Sequence, residues 1–282
     1  MILHTLETRY FGKDQVTTEF DVYKSLKRSP LQTDVNYLAV PWAVLINQKR
    51  LAGIAAPRLN HGFTVCQHIQ YRLILPLLEE LGVDTLFSPH VDHDEDRIRI
   101  LPLPHQAVHG IGPARQKDLL YSFIGFDSTR RSRSGVRRQI FEMAHPQDSV
   151  VIERKQWHWA SGRMALWNQF RQKQEYQKIL SRSRFSLCPR GTGVSTIRFW
   201  ESLQAGAIPV LFADEMRLPG QFAWDSCVIR VPECEARFFP DYLKPIHGDL
   251  EETMRQQCYL AYHAYCGTNI ARSIREAYGE TL

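Results

Sequence analysis

No stretch of this 282-residue chain approaches the roughly 18 consecutive apolar residues of a membrane-spanning helix, which excludes such a span within it. The six cysteines (66, 188, 227, 234, 258, 266) form no Cys-x-x-Cys pair and no regular framework. That spacing argues against structural zinc and against a disulfide scaffold, and the expectation is reduced thiols, several of them buried. The opening MILHTLETRYFGKDQ acquires acids and bases too early for a secretory leader. The chain therefore reads as cytoplasmic, or as membrane-associated through an anchor outside it. Internal repeats and low-complexity linkers are also missing, so a repeat array is not expected. Charge of one sign is not in large excess either. The net value is +5, which suits an anionic small molecule or an anionic membrane surface as easily as nucleic acid.

What is present is an ordinary globular composition, 44% apolar and 23% charged. Short apolar runs at Ile2–Leu6, Asn36–Val40, Phe63–Cys66, Thr85–Ser88 and Ile98–Pro104 read as strands. A helix over Leu73–Leu81 fits between the third and fourth, with Pro76 in its first turn and Gly82 closing it. A second block restarts with a strand at Leu119–Phe126, a helix at Gly135–Ala144, a strand at Ser149–Ile152 and a long polar helix around Met164–Ser181. That last helix reads as a solvated cover. The final 40 residues read mostly as helix. Two alternating blocks imply two α/β layers with a seam near residues 105–118.

The most informative stretch is Cys188-Pro189-Arg190-Gly191-Thr192-Gly193-Val194-Ser195-Thr196-Ile197-Arg198-Phe199-Trp200-Glu201. A buried strand, Arg184–Cys188, precedes it. A helix from Ile197 follows, with Phe199 and Leu203 on one face and Gly206 as its left-handed stop. The strand Ala207–Phe212 completes a βαβ unit. A helix start exposes unpaired N–H groups and a partial positive charge, so it binds anions. Ser195 and Thr196 are capping residue types. Gly191 and Gly193 allow close approach of the backbone. Arg190 and Arg198 add charged donors suited to a diphosphate. Glu201 lies about 9 Å along the helix, the reach from a diphosphate to a ribose hydroxyl. The competing reading is a plain turn with an Arg198–Glu201 surface ion pair.

The run SRFSLCPRGTGVSTIRFWESLQAGAIPVLFADE resembles the signature segment of the exostosin-type glycosyltransferases, glycosyltransferase family 47. The likeness continues through Leu218-Pro219 and Ala223–Glu233, covering roughly residues 182–233, with a weaker likeness over Leu119–Ala144. Gly220 departs from the family's phenylalanine and Ala207 from its cysteine; the expectation is altered packing rather than altered chemistry. The resemblance implies a GT-B fold, two Rossmann-like α/β domains with an interdomain cleft. Residues 1–110 would form the acceptor side. Residues 111–282, C-terminal helices included, would bind the nucleotide sugar. It also implies that Arg190 and Gly191 face the diphosphate, that Ser195, Thr196 and Arg198 complete the anion site, and that Glu201 holds the ribose. The expected activity is inverting, metal-independent transfer of a sugar from a UDP- or GDP-linked donor to a glycan or lipid-linked glycan, in polysaccharide or glycoconjugate synthesis. No cofactor and no nucleic-acid partner is expected, and a peripheral contact with an anionic membrane fits the charge.

Two clusters leave alternatives open. Between Arg130 and Arg138 stand five arginines in nine residues. They read as a solvated basic loop, as a donor-phosphate contact through Arg131 or Arg137, or as a nucleic-acid or anionic-lipid patch. His90-Val91-Asp92-His93-Asp94-Glu95-Asp96 reads as an exposed loop, as an acceptor-side loop with Asp92 as base, or as a metal site. His61, His68, His105, His109 and His158 stand beside strand ends, where a structural role is expected. Trp157-His158-Trp159 reads as a packed corner or a sugar wall. Two rival functions follow: a nucleic-acid-binding protein using Arg130–Arg138, and a sugar-nucleotide sensor lacking a base.

Overall fold

A computed structural model of the chain describes residues 1–11, 17–54, 57–91, 97–107, 110–112, 116–127, 134–154 and 163–280; of residue 17 and residues 163–167 only the backbone is described. Two parallel sheets organise these residues. The first contains β1 (Ile2–Thr5), β2 (Asn36–Ala39), β3 (Gly62–Val65), β4 (Thr85–Ser88) and β5 (Arg99–Pro102), in the order β1-β2-β3-β4-β5. Between them run α1 (Thr17–Arg28), α2 (Trp42–Asn47) and α3 (Leu75–Glu80). The second sheet contains β6 (Leu119–Gly125), β7 (Val150–Glu153), β8 (Ser183–Pro189), β9 (Ile208–Phe212) and β10 (Ile229–Arg230), in the order β10-β9-β8-β6-β7. Its helices are α4 (Val136–Glu142), α5 (Arg163–Arg182) and α6 (Ile197–Ala205). The chain ends in α7 (Phe239–Leu243), α8 (Gly248–Tyr265) and α9 (Arg272–Ala277).

Strand periodicity decides how the first sheet packs. Successive side chains point to opposite faces, so Leu38, Leu86 and Ile100 join the cluster beneath α2 and α3. Tyr37, Ala39, Phe63, Val65 and Phe87 join Val22 and Leu26 of α1 on the other face. Ile270, Ala271 and Ile274, in and beside α9, complete that second cluster. Residues 263–282 therefore belong with the first compact unit, with 1–106 and 215–222, and not with the second block where the sequence put them. The second unit comprises 107–214 and 223–262. The helix over Leu73–Leu81 divides into a 3-10 turn, Tyr71–Ile74, and α3, with Pro76 in the first turn of α3.

In the second unit, Phe185 and Leu187 of β8 and Phe199 and Leu203 of α6 are wholly buried. A seam of small polar groups joins these elements. Ser202 Oγ donates to Ser186 Oγ at 2.8 Å, and Ser183 Oγ donates to Ser122 Oγ at 2.7 Å. Helix α6 ends as the sequence predicts, with Gly206 at φ 62°, in the left-handed region. Lys117 Nζ donates to the Ala205 carbonyl at 2.7 Å, and Arg255 Nη1 donates to that of Gly206, so two basic side chains meet the negative helix end.

Gly220 occupies a position that a phenylalanine would not fit. Its φ is +69°, and an added Cβ would lie 2.0 Å from Tyr265 Oη and 2.3 Å from Glu276 Oε2. An added Cβ on Gly206 would lie 2.1 Å from Tyr259 Oη. Gly206→Ala and Gly220→Ala should each lower stability by about 2 kcal/mol, combining left-handed strain with displacement of a tyrosine. Unchanged thermal unfolding midpoints would contradict these backbone assignments.

Candidate functional site

Chain order opens a crevice in the second sheet. From β6 the chain steps to β7 on one side, then returns to β8 on the other side of β6 before continuing to β9 and β10. The loops leaving the carboxyl ends of β6 and β8 therefore diverge, and ligands of open α/β sheets bind at such a switch point. The first sheet adds every strand in one direction and has no switch. Residues 190–196 and 126–127 flank the crevice, and α6 begins there.

The start of α6 lacks a side-chain cap. Thr196 is the N-cap, extended at φ −135° and ψ 129°, and its hydroxyl makes no capping bond. Ser195 is 6% exposed, and its Oγ is buried without a hydrogen-bond partner. The expected capping types are in place, yet neither side chain caps. A buried hydroxyl with no partner costs on the order of 1–3 kcal/mol, which an acceptor at the crevice would offset.

Three guanidinium groups stand at the same strand ends. Arg198 Nη2 donates to the Ile124 carbonyl at the end of β6, and its Cζ lies 4.6 Å from the centre of the Phe123 ring. Arg137, on α4, donates from Nε to the Arg190 carbonyl at 2.8 Å, from Nη1 to Phe126 at 3.0 Å and from Nη2 to Pro189 at 3.4 Å. It thus ties the end of β6 to the end of β8 across the crevice floor. Burial, and then the charge of Arg198, lower its pKa to about 10, so it remains a cation at neutral pH. Neither Arg137 nor Arg198 has a carboxylate within ion-pairing distance among the described residues. Gly191 packs here for a reason the sequence does not reveal, since a Cβ on it would sit 3.2 Å from Arg137 Nη2. Arg190 differs from the other two. Its Nη1 lies 3.4 Å from Glu233 Oε1, while the Glu233 and Asp214 side chains each accept the other's main-chain N–H. These two acids, at the ends of β10 and β9, hold Arg190 over the loop and were not singled out from sequence as site residues.

Glu201 is 4% exposed and one helical turn from Arg198. Tyr176 of α5 donates its hydroxyl to Glu201 Oε2 at 2.6 Å, and Arg198 Cζ lies 5.6 Å from the Tyr176 ring centre. The competing reading, a surface pairing of Arg198 with Glu201, is not among the described ion pairs, and Glu201 is buried. The long helix α5 is therefore more than a solvated cover. Of the clustered arginines, Arg137 braces main chain, and Arg138 is exposed and pairs with Glu142 at 3.0 Å. Arg130, Arg131 and Arg133 lie outside the described residues, as do Asp92 through Asp96, His109 and the Trp157–Trp159 corner.

The carboxyl edge of the first sheet gathers other titratable groups. His90 and His105 follow β4 and β5 with ring centres 5.1 Å apart. Burial lowers the His105 pKa to about 4, so it is neutral at physiological pH. Glu19 is buried beside Cys66 and Gln67, after β3. His68 bonds Asn47 at 3.0 Å and His61 pairs with Asp84, both structural roles. A cavity of about 430 Å³ lined by Arg58, Asn60, Glu79, Asp84 and Arg97 sits at the amino ends of β3 to β5, the edge where ligands of such sheets do not bind. Among the described residues no group of His, Cys, Asp and Glu has the arrangement of a metal site, and no helix is long and apolar enough to cross a membrane.

The exostosin GT47 domain model matches residues 65–244, more than half of the chain. Exostosin-1 of Drosophila melanogaster is 29% identical over 163 residues, 55% of this chain and 21% of that protein. The exostosin-1 homolog of Caenorhabditis elegans is 28% identical over 157 residues, 53% of this chain and 41% of that protein. The chain thus matches less than half the length of either relative. The solved pneumococcal O-GlcNAc transferase GtfA, in complex with UDP and GlcNAc, aligns with TM-score 0.38 and 10% identity over 92% of this chain and 59% of that one.

Proposed function

The chain belongs to the exostosin GT47 family, and from that premise we propose that it is a glycosyltransferase moving a sugar from a nucleoside-diphosphate sugar to a glycan hydroxyl. One observation carries the reading: two guanidinium groups, neither within ion-pairing distance of a carboxylate among the described residues, flank an uncapped helix start at the switch point of a parallel sheet. A pyrophosphate supplies what this arrangement lacks, charge for Arg137 and Arg198 and acceptors for Ser195 and the first N–H groups of α6. Arg190 and Gly191 border the same anion, and Glu201 receives the ribose.

In the reaction, the acceptor oxygen attacks the anomeric carbon as the bond from that carbon to the diphosphate oxygen breaks, inverting the configuration. The electron pair leaves with the nucleotide, and Arg190, Arg198 and the helix dipole meet the growing negative charge without a metal. The acceptor proton passes to a base from the first unit, with Asp92 as the candidate. The GT-B arrangement, with donor on the second unit and acceptor on the first across an interdomain cleft, is part of this proposal. So are a UDP or GDP donor, a glycan or lipid-linked glycan acceptor, freedom from other cofactors, a cytoplasmic or membrane-associated location and contact with anionic lipid.

A thermal-shift series with uridine, guanosine and cytidine diphosphate sugars should raise the unfolding midpoint for one base class. Turnover of that donor should survive a chelator. If no sugar nucleotide binds while oligonucleotides bind with steep salt dependence, the reading is wrong. Activity abolished by chelator and restored by manganese would replace the guanidinium groups with a metal.

A further inference from the structure

We propose that Tyr176 is the positioning residue that gives the donor site its selectivity for ribose over deoxyribose, by orienting the Glu201 carboxylate; the inference rests on the donor reading above. Helix α5 is strongly polar, with Arg171 through Glu175 all exposed. Tyr176 interrupts that surface by turning toward α6. Its ring is within cation–π distance of Arg198, and its hydroxyl donates to Glu201 Oε2 at 2.6 Å. A single side chain thus touches both charged groups that would read the two ends of the donor, diphosphate and ribose.

The direction of the bond matters. A carboxylate only accepts hydrogen bonds, so the Tyr176 hydroxyl must be the donor and must keep its proton. Burial first, and the negative charge of Glu201 next, hold its ionisation well above the ordinary tyrosine range, so the donor persists at neutral pH. A carboxylate at the end of a flexible side chain has many orientations. The short charge-assisted bond to Oε2 restrains the carboxyl group and with it the directions in which its lone pairs accept ribose O–H groups. A deoxy sugar lacks one of those donors and leaves an acceptor buried and unmet.

The test measures dissociation constants for UDP, GDP and their 2′- and 3′-deoxy counterparts by calorimetry. The wild-type chain should prefer the ribonucleotide about tenfold over at least one deoxy form. Tyr176→Phe retains the ring near Arg198 and removes only the hydroxyl. It should weaken the ribonucleotide until it matches that deoxy form, whose own affinity stays within about twofold of wild type. Glu201→Gln should also erase the preference, and adding Tyr176→Phe to it should change the ratio no further. A Tyr176→Phe chain with the wild-type ratio overturns the proposal and leaves the donor reading standing. So does equal weakening of both nucleotides, which marks a merely structural role, and so does a wild-type chain that binds nucleotide without preference. If no nucleotide binds the wild-type chain, the donor reading itself falls.

Discussion

Arg198→Ala is expected to lower kcat/KM for the sugar-nucleotide donor at least about 100-fold, with the fold retained. Two effects combine. A charge-assisted hydrogen bond to phosphate contributes about 1.5–3 kcal/mol, a loss of roughly tenfold to 150-fold in donor affinity on its own. The reaction then places further negative charge on the leaving diphosphate, and removing a preorganised donor from such a charge costs about 100- to 1,000-fold in turnover. The structural cost is smaller, because Arg198 makes one bond to the Ile124 carbonyl and rests near the Phe123 ring. Losing these should lower stability by about 1–2 kcal/mol, readable as a modest shift in the unfolding midpoint. Arg198→Lys separates charge from geometry. It keeps a cation at the helix start without the planar fork, so an intermediate loss of about tenfold is expected. Unchanged donor kinetics in the alanine variant would remove the physical basis of the proposed site.

Much of the second unit is legible in its sequence because several local signals agree there. Ser-Thr before α6, Phe199 and Leu203 four apart, and Gly206 after Ala205 all mark one helix, and Gly206 takes the left-handed conformation such a stop requires. The order β10-β9-β8-β6-β7 has no local signal, since it depends on where each crossover lands, and the crevice depends on that order. Helix α1 escapes detection because its buried face runs Thr18, Glu19, Val22, Leu26, with polar residues where an apolar stripe is sought. Helix α2 escapes for the opposite reason. Trp42 through Ile46 are all buried, so the segment carries no helical periodicity. Five clustered arginines look alike in sequence, yet Arg137 is a buried brace and Arg138 an exposed ion pair. Tyr176 is invisible for the same reason: its partner lies on another helix, 25 residues away.

The polar group that hides α1 also sets the second large effect. Glu19→Gln should reverse the pH dependence of the first unit's stability between about 4.5 and 8, turning a decline into a rise. Glu19 is fully enclosed and accepts N–H bonds from Ala43 at 3.2 Å and Gln67 at 2.9 Å. Burial outweighs those bonds and raises its pKa from 4.5 to about 8. A carboxyl group that holds its proton more tightly when folded makes folding take up protons. Its stabilising contribution is whole below pH 4.5 and is lost as pH rises through 8. His105 has the opposite sign. Burial lowers its pKa from 6.5 to about 4, folding releases its proton, and stability is lost as pH falls from 6.5 to 4. Between pH 4.5 and 6.5 the Glu19 and His105 slopes oppose each other, and His68, whose pKa burial also lowers, adds to that of His105, so stability should rise slightly there. From 6.5 to 8 Glu19 is the group of the first unit that acts, at about 1.4 kcal/mol per pH unit, a loss of roughly 2 kcal/mol. In Glu19→Gln that decline disappears, and stability instead rises from pH 4 to 6.5 and then stays level. The difference between variant and wild type should span about 4–5 kcal/mol across the window. Absolute stability is a separate matter, because an amide whose oxygen keeps the Oε1 position places its NH2 at Oε2, facing the main-chain N–H of Ala43. The slope isolates the titration: every other group is common to both chains. A difference curve that is flat from pH 4.5 to 8 would mean that the main-chain donors of Glu19 fully offset its burial, so that it ionises no higher than in water.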